Sequence, residues 1–197
     1  MPVLQLQGLG NGLIEPLDLT VEAGQVVCVS GPSGSGKTRL LRAIADMEPH
    51  QGSVRLDDTD RSSLPAHLWR SRVMLVPAES QWWADTVSEH WVQPMPQALE
   101  ALGFEPAAGG WMVSRLSSGE KQRLALIRAV AREPQALLLD EPTANLDEAG
   151  TRRVEDWLRA EIRRRGLPVL WVAHDSAQIR RVSDRHLHIR AGRLEVA

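Results

Sequence analysis

Residues Gly31–Thr38 read GPSGSGKT, with the spacing G-x-x-x-x-G-K-[S/T]. Gly31, Gly34 and Gly36 let the backbone turn so that several N–H groups converge on one anion. Pro32, Ser33 and Ser35 complete the turn. A helix beginning near Gly36 adds its positive N-terminal end. Lys37 is placed to reach the outer phosphates, and Thr38 to ligate Mg²⁺. The chemistry implied is the capture of a nucleotide's phosphates. A chance match of this pattern has a frequency on the order of 1% for a chain of this length.

A second constellation is ALLLDEP, Ala136–Pro142. An apolar strand there delivers two carboxylates to its C-terminal end, where ligands sit in open α/β sheets. Asp140 is placed to hold Mg²⁺ through water, and Glu141, one residue further, to polarise an attacking water. Alone this is an ordinary acidic turn; beside a phosphate loop it becomes half of a hydrolytic site. A third stretch, LSSGEKQR at Leu116–Arg123, places a capping serine and a glycine at a helix start.

The elements that must position these groups are legible in outline. Short strands are expected at Val3–Gln7 and Leu17–Val21. The apolar strand Gln25–Ser30 runs straight into the glycine loop. The next helix carries Leu40, Leu41, Ile44 and Ala45 on one face. Strands are expected near Gly52–Leu56 and over Arg72–Val76, the latter stopped by Pro77. From Ala78 to Val113, prolines 94, 96 and 106 and the Gly109-Gly110 pair break the pattern into short pieces, read as a small helical subdomain. A helix follows from about Ser118 to Arg132, stopping at Glu133 before Pro134. Ala136–Leu139 and Val169–Ala173 are fully apolar strands on either side of an amphipathic helix, Glu148–Arg165, that ends near Gly166. Uninterrupted apolar strands alternating with helices imply a parallel sheet covered on both faces.

Taken together, the phosphate loop, the Leu116–Arg123 stretch and the acidic pair resemble the ATP-binding subunits of ABC transporters. The resemblance spans nearly the whole chain. It implies a P-loop NTPase (RecA-like) α/β fold: a parallel sheet core, a small antiparallel β subdomain and a short helical subdomain over 78–117, within one domain of residues 1–197. It makes Ser117, Ser118, Gly119 and Glu120 a signature that binds the γ-phosphate of ATP held on a second copy's loop. Ser118 and Glu120 depart from the family's commoner Gly and Gln, but the helix N-terminus and the Ser117 hydroxyl still offer donors. Ala144–Asp147 looks like the segment that crosses the dimer interface. His174, after VLWVA, sits where the family has a switch histidine able to hydrogen-bond the γ-phosphate. The resemblance further implies ATP and Mg²⁺ as cofactors, a homodimer formed on ATP binding and a separate transmembrane permease, with no direct nucleic acid contact. The overall brevity and the phrases ALIRAV and VLWVAHD look similar to subunits of a bacterial iron-export system, although cargo choice resides in the permease.

Four departures from the family pattern matter. Ala78 stands where the family places a glutamine; Glu79 or Gln81 could substitute only if the loop shifts, and weakened Mg²⁺ coupling is the alternative. No Phe, Tyr or Trp precedes Gly31, so the usual adenine-stacking ring is missing and base selectivity is expected to be loose. Arg39 replaces a threonine beside the Mg²⁺ ligand, adding a charge near the phosphates. The Ala78–Ser117 segment is short, yet holds Trp82, Trp83, Trp91 and Trp111, four of the chain's seven tryptophans. These either pack a thin core or present a face to a partner.

Bulk properties restrict rather than decide. The chain has 197 residues and a net charge of −2, enough for a real core and without a bias toward nucleic acid. Its single cysteine, Cys28, lies in an apolar run and is expected in the core. No apolar stretch approaches the ~20 residues needed to span a bilayer, and Met1–Gln7 lacks the pattern of a signal peptide. The expected location is the cytoplasmic face of a membrane, held there by the permease. Two other readings stay open: a soluble ABC ATPase acting on nucleic acid or ribosomes, and a nucleotide-binding regulatory module with little hydrolysis.

Overall fold

The computed structural model describes residues 1–197. Its first half runs β1 (Leu4–Gly10), β2 (Leu17–Val21), β3 (Val26–Ser30), α1 (Lys37–Ile44), β4 (Gln51–Leu56), β5 (Thr59–Asp60), α2 (Ala66–Arg72) and β6 (Val73–Val76). After α3 (Pro96–Ala101) come α4 (Ser118–Val130), β7 (Ala136–Asp140), α5 (Glu148–Arg165), β8 (Val169–Val172), α6 (Ser176–Val182), β9 (Arg185–Arg190) and β10 (Arg193–Val196).

The strands form two sheets. An antiparallel sheet has the order β2-β1-β4-β5, and a six-stranded sheet the order β10-β9-β3-β8-β7-β6. In the larger sheet every neighbouring pair is parallel except β9 and β10. The parallel core is what the strand pattern implied, and the small antiparallel sheet beside it what the family resemblance implied.

Why the core strands are apolar throughout is visible in where their side chains go. Side chains alternate between the two faces of a strand. Val26 and Cys28, Leu137 and Leu139, and Val169 and Trp171 join one buried cluster. Val27 and Val29, Ala136 and Leu138, and Leu170 and Val172 join the other, which includes Leu40 and Leu41 of α1 and the antiparallel sheet. Both faces are covered, so in these strands polar side chains occur only at the C-terminal ends, at Ser30 and Asp140. Burial pushes the Cys28 thiol up to about 12, which keeps it a small apolar filler.

Helix ends follow their caps. The Asp147 carboxylate accepts a hydrogen bond from the Gly150 N–H at 2.7 Å and starts α5; Gly166, with φ 65°, ends it. Helix α4 stops at Val130, two residues earlier than the sequence suggests, and Glu133 takes a φ of 53° before Pro134. Between Ala78 and Ser117 the only α-helix is the six-residue α3, with short 3₁₀ turns around it. Val87, Leu99, Leu102 and Phe104 of this segment belong to the same cluster as Val26 and Leu137.

Five elements carry no clear sequence signal: α2, β5, α6, β9 and β10. The hairpin of β9 and β10 extends the parallel sheet beyond β3. No helix is long and apolar enough to cross a membrane. The sheet order aligns the C-terminal ends of β3, β7 and β8, which lead into Gly31, Glu141 and His174.

Candidate phosphate-binding and hydrolytic site

The loop after β3 wraps around the Lys37 ammonium group. Lys37 is 6% exposed, and its Nζ donates to the carbonyls of Gly31 at 2.9 Å and Pro32 at 2.8 Å. Burial holds its pKa below the usual lysine value, opposed by the charges of Glu141 and Asp140. Gly36 has φ 99°, and a Cβ there would lie 3.2 Å from Ile14 Cγ1, so the turn into α1 requires glycine. The Ser35 hydroxyl is buried without a partner. A buried orphan hydroxyl and a cation resting on its own carbonyls suit a loop shaped for an anion. One residue upstream, the Ser30 hydroxyl lies 2.7 Å from His186 Nε2 and 2.9 Å from His188 Nδ1.

The acidic pair ends β7. Asp140 is 4% exposed. Burial raises its pKa, opposed by a Thr38 side-chain hydrogen bond and by the Lys37 charge. Thr38 and Asp140 offer a hydroxyl and a carboxylate, the hard oxygen donors Mg²⁺ accepts, with few protein ligands and the rest from water and phosphate. Glu141 adopts φ 47°, a region sparsely populated by non-glycine residues and common at functional turns. Its N–H donates to Val172 O at 3.2 Å, and its Oε1 lies 2.7 Å from His174 Nε2. Both side chains remain partly open, at 37% for Glu141 and 47% for His174.

One cleft of about 330 Å³ is walled by Ser33, Gly34, Gly36, Lys37, Thr38, Arg39, Glu141 and His174; Asp140 is buried and does not line it. Arg39 is there, but its Nε donates to Glu48 Oε2 at 2.8 Å, and Arg42 occupies the other oxygen of the same carboxylate. Its charge is therefore matched by Glu48 rather than left free for phosphate. Ala78, Glu79 and Gln81 are not part of this wall; the Gln81 carbonyl accepts from Arg128 on α4.

Ser117–Glu120 are not in the cleft either. They form the capped start of α4. Glu120 N donates to Ser117 Oγ at 3.2 Å, while the Glu120 carboxylate accepts from the Ser117 N–H and hydroxyl, each at 2.8 Å. The Ser117 N–H is the main reason the Glu120 carboxyl sits below the usual range. The Ser117 hydroxyl is thus already donating within its own capping box, and a phosphate would have to compete for it. A Cβ on Gly119 would lie 3.1 Å from Leu146 Cδ2 and 3.2 Å from the Asn145 carbonyl, so this glycine lets α4 abut the Ala144–Asp147 turn. The site residues therefore form two groups on one chain.

Sequence reasoning missed Leu13, the one apolar side chain in the cleft wall. Its signal was faint: an apolar residue straight after Asn11-Gly12, a turn dipeptide that leaves its neighbour at the surface. It also missed Thr143, Glu155 and Gln178, which meet across the turn after Glu141 and carry no motif.

Comparison with known proteins bears on the family of the chain. The ABC transporter family matches residues 14–144. The chain is 37% identical to a probable anion import ATP-binding protein of Haloferax volcanii, over 94% of this chain and 75% of that protein. It is 36% identical to the Fe(3+) ions import ATP-binding protein FbpC of Streptomyces coelicolor, over 94% of this chain and 57% of that protein. It is 31% identical to the probable iron export ATP-binding protein FetA of Escherichia coli, over 90% of this chain and 87% of that protein. Among solved structures, a bacterial Atm1-family ABC exporter with ATP bound superposes with a TM-score of 0.84 at 25% identity, covering 98% of this chain and 38% of that one. By this family match and these relatives, the chain belongs to the ABC transporter family, whose ATP-binding subunits are ATPases that drive transport.

Proposed function

We propose that two copies of this chain pair head to tail around two ATP molecules, and that hydrolysis drives a separate transmembrane permease. The carrying observation is the 2.7 Å contact between Glu141 and His174 at the rim of the cleft that holds Lys37 and Thr38. Gly31–Thr38 grip the phosphates, with Lys37 leaving its own carbonyls for the outer ones. Thr38 and Asp140 would hold Mg²⁺, which when bound would neutralise charge on the phosphates. Glu141 orients and accepts a proton from the attacking water. His174, released from Glu141, donates to the γ-phosphate. Leu13 supports the nucleoside in place of a stacking ring. The separation of Ser117–Glu120 from the cleft supports the paired arrangement, since only a second copy brings that helix N-terminus to the phosphates.

The face offered to the permease carries Trp83, which is 68% exposed and, like half-buried Trp82, packs its ring edge-on to His90. Exposed aromatics of this kind anchor interfaces. The complex so formed would sit on the cytoplasmic face of its membrane. The relatives differ in cargo, spanning anions, ferric ions and iron. The metal-export reading rests on the chain's brevity and the phrases ALIRAV and VLWVAHD.

Replacing Glu141 by Gln tests the central role. Turnover is expected to fall by about 10²–10⁴-fold, the usual contribution of a general base, with ATP-driven dimerisation retained in size-exclusion chromatography. Undiminished turnover would remove Glu141 as the base.

A further inference from the structure

Behind the Glu141–His174 contact lies a buried polar network that the hydrolytic scheme leaves unused. Glu155 on α5 and Gln178 on α6 are 3% and 6% exposed. Gln178 Nε2 donates to Thr143 Oγ1 at 2.7 Å and to Glu155 Oε1 at 3.0 Å. Arg181 closes the network, its Nε 2.8 Å from Glu155 Oε2 and its Nη2 2.7 Å from Oε1. Both amide hydrogens of Gln178 are committed, so the direction of its amide is set.

The placement of these partners is what gives them a role. Thr143 follows Glu141 by two residues, and Gln178 follows His174 by four. The two segments are thus fastened twice. In front, a solvent-accessible carboxylate meets an imidazole at 2.7 Å. Behind, a buried amide meets a hydroxyl, also at 2.7 Å. The front contact joins the two groups assigned to water and γ-phosphate, so it opens when each turns to its own partner. Nothing in the site requires the rear contact to open. Asp175 also sets the start of α6, its carboxylate accepting from the Ala177 N–H at 2.8 Å and the Gln178 N–H at 3.3 Å.

We propose that Gln178 is a positioning residue for ATP hydrolysis: its amide, oriented by Glu155 and Arg181, keeps the His174 loop in register with the Glu141 turn once the front contact breaks. This rests on the roles given above to Glu141 and His174.

The test is steady-state ATP hydrolysis by the purified full chain, with kcat, KM and the thermal midpoint measured together. Thr143→Val keeps the side chain's shape and removes the hydroxyl, and with it the acceptor for Gln178. Gln178→Leu removes the amide. The double variant Glu155→Gln with Gln178→Glu reverses the polarity of the network: a carboxylate at 178 accepts from Thr143 and from the new amide, and stands three residues from Arg181. Because small misplacements of reacting groups are costly, the two single variants are expected to lose about tenfold in kcat with KM nearly unchanged. The double variant is expected to recover most of that loss. A lower thermal midpoint with kcat retained in both single variants would overturn the proposal, leaving only a packing role. If Gln178→Leu fails to fold, Thr143→Val decides by the same criterion. Glu141→Gln in the same series separates the two levels. An inactive Glu141→Gln beside a fully active Thr143→Val overturns the positioning role alone; an active Glu141→Gln overturns both.

Discussion

Leu13 offers a quantitative probe of how this chain holds a nucleoside without an aromatic ring. It is 46% exposed and is the single aliphatic group in the wall of the phosphate cleft. Fully burying a leucine side chain contributes about 1.5–3 kcal/mol, so covering the half still exposed contributes about 1 kcal/mol. A stacked ring contributes about 1–3 kcal/mol. Leu13→Ala is therefore expected to weaken ATP and GTP alike by about fivefold, at 1.4 kcal/mol per factor of ten. Leu13→Trp is expected to strengthen both, by up to about 2 kcal/mol or thirtyfold. Aliphatic contact carries no hydrogen-bond code, so the parent chain is expected to bind GTP within about tenfold of ATP. Isothermal titration of each nucleotide in the Glu141→Gln background measures binding free of turnover. Unchanged affinities in both Leu13 variants would refute the assignment of this wall to the nucleoside. A much larger preference for ATP over GTP in the parent would refute the account of selectivity.

Further outcomes follow from the same geometry. Asp140→Asn is expected to raise the thermal midpoint of the nucleotide-free protein while abolishing Mg²⁺-dependent turnover. Burial raises the folded-state pKa of Asp140, so its cost to stability grows as pH rises above the ordinary aspartate range; the gain should vanish below that range in a pH series of melting curves. Ala78→Gln is expected to raise ATPase activity by several-fold, within the span of about 10²-fold that a water-positioning group commands, and Glu79→Ala to leave it unchanged, because neither Glu79 nor Gln81 reaches the cleft wall. Trp83→Ala is expected to cost about 1 kcal/mol or less in denaturant unfolding, the size of an exposed stack on Arg128. Trp69→Ala, at a fully buried ring whose Nε1 donates to Ile44 O at 2.9 Å, should cost about 3–5 kcal/mol.

What could be read in advance was whatever local chemistry dictates. Helix α5 was legible to the residue because Asp147 caps its start and Gly166 its end. The strands β3, β7 and β8 were legible because both of their faces are buried. β9 was not: RHLHIR alternates charged or polar side chains with Leu187 and Ile189, a pattern whose polar half has partners only in the fold, such as Ser30. α6 and α2 were hidden by their seven-residue lengths. In the site, residues carried by a recognisable motif were found, including Glu141 and His174, 33 positions apart; Gln178, Glu155 and Thr143, which carry none and meet only in the fold, were not. The Arg39 charge was also beyond local reading, since Glu48, which matches it, lies past the end of α1. Likewise, Ser117 was anticipated as a free donor, but Glu120 three residues on already takes its hydroxyl proton.

The Ser30 hydroxyl has one proton to give and stands between two ring nitrogens, His186 Nε2 and His188 Nδ1. If it donates to His188, His186 must carry its hydrogen on Nε2; if it donates to His186, His188 must carry its hydrogen on Nδ1. The two tautomers are therefore locked to each other, and the trio has two proton orders of opposite sense. Burial, and then the neighbouring His188, hold His186 below the ordinary imidazole range. When both rings are charged, both ring N–H groups point at the serine oxygen, and its own proton must turn to another acceptor. Ser30 immediately precedes Gly31, so the hydroxyl next to the phosphate loop is tied to the paired tautomers of two rings on β9.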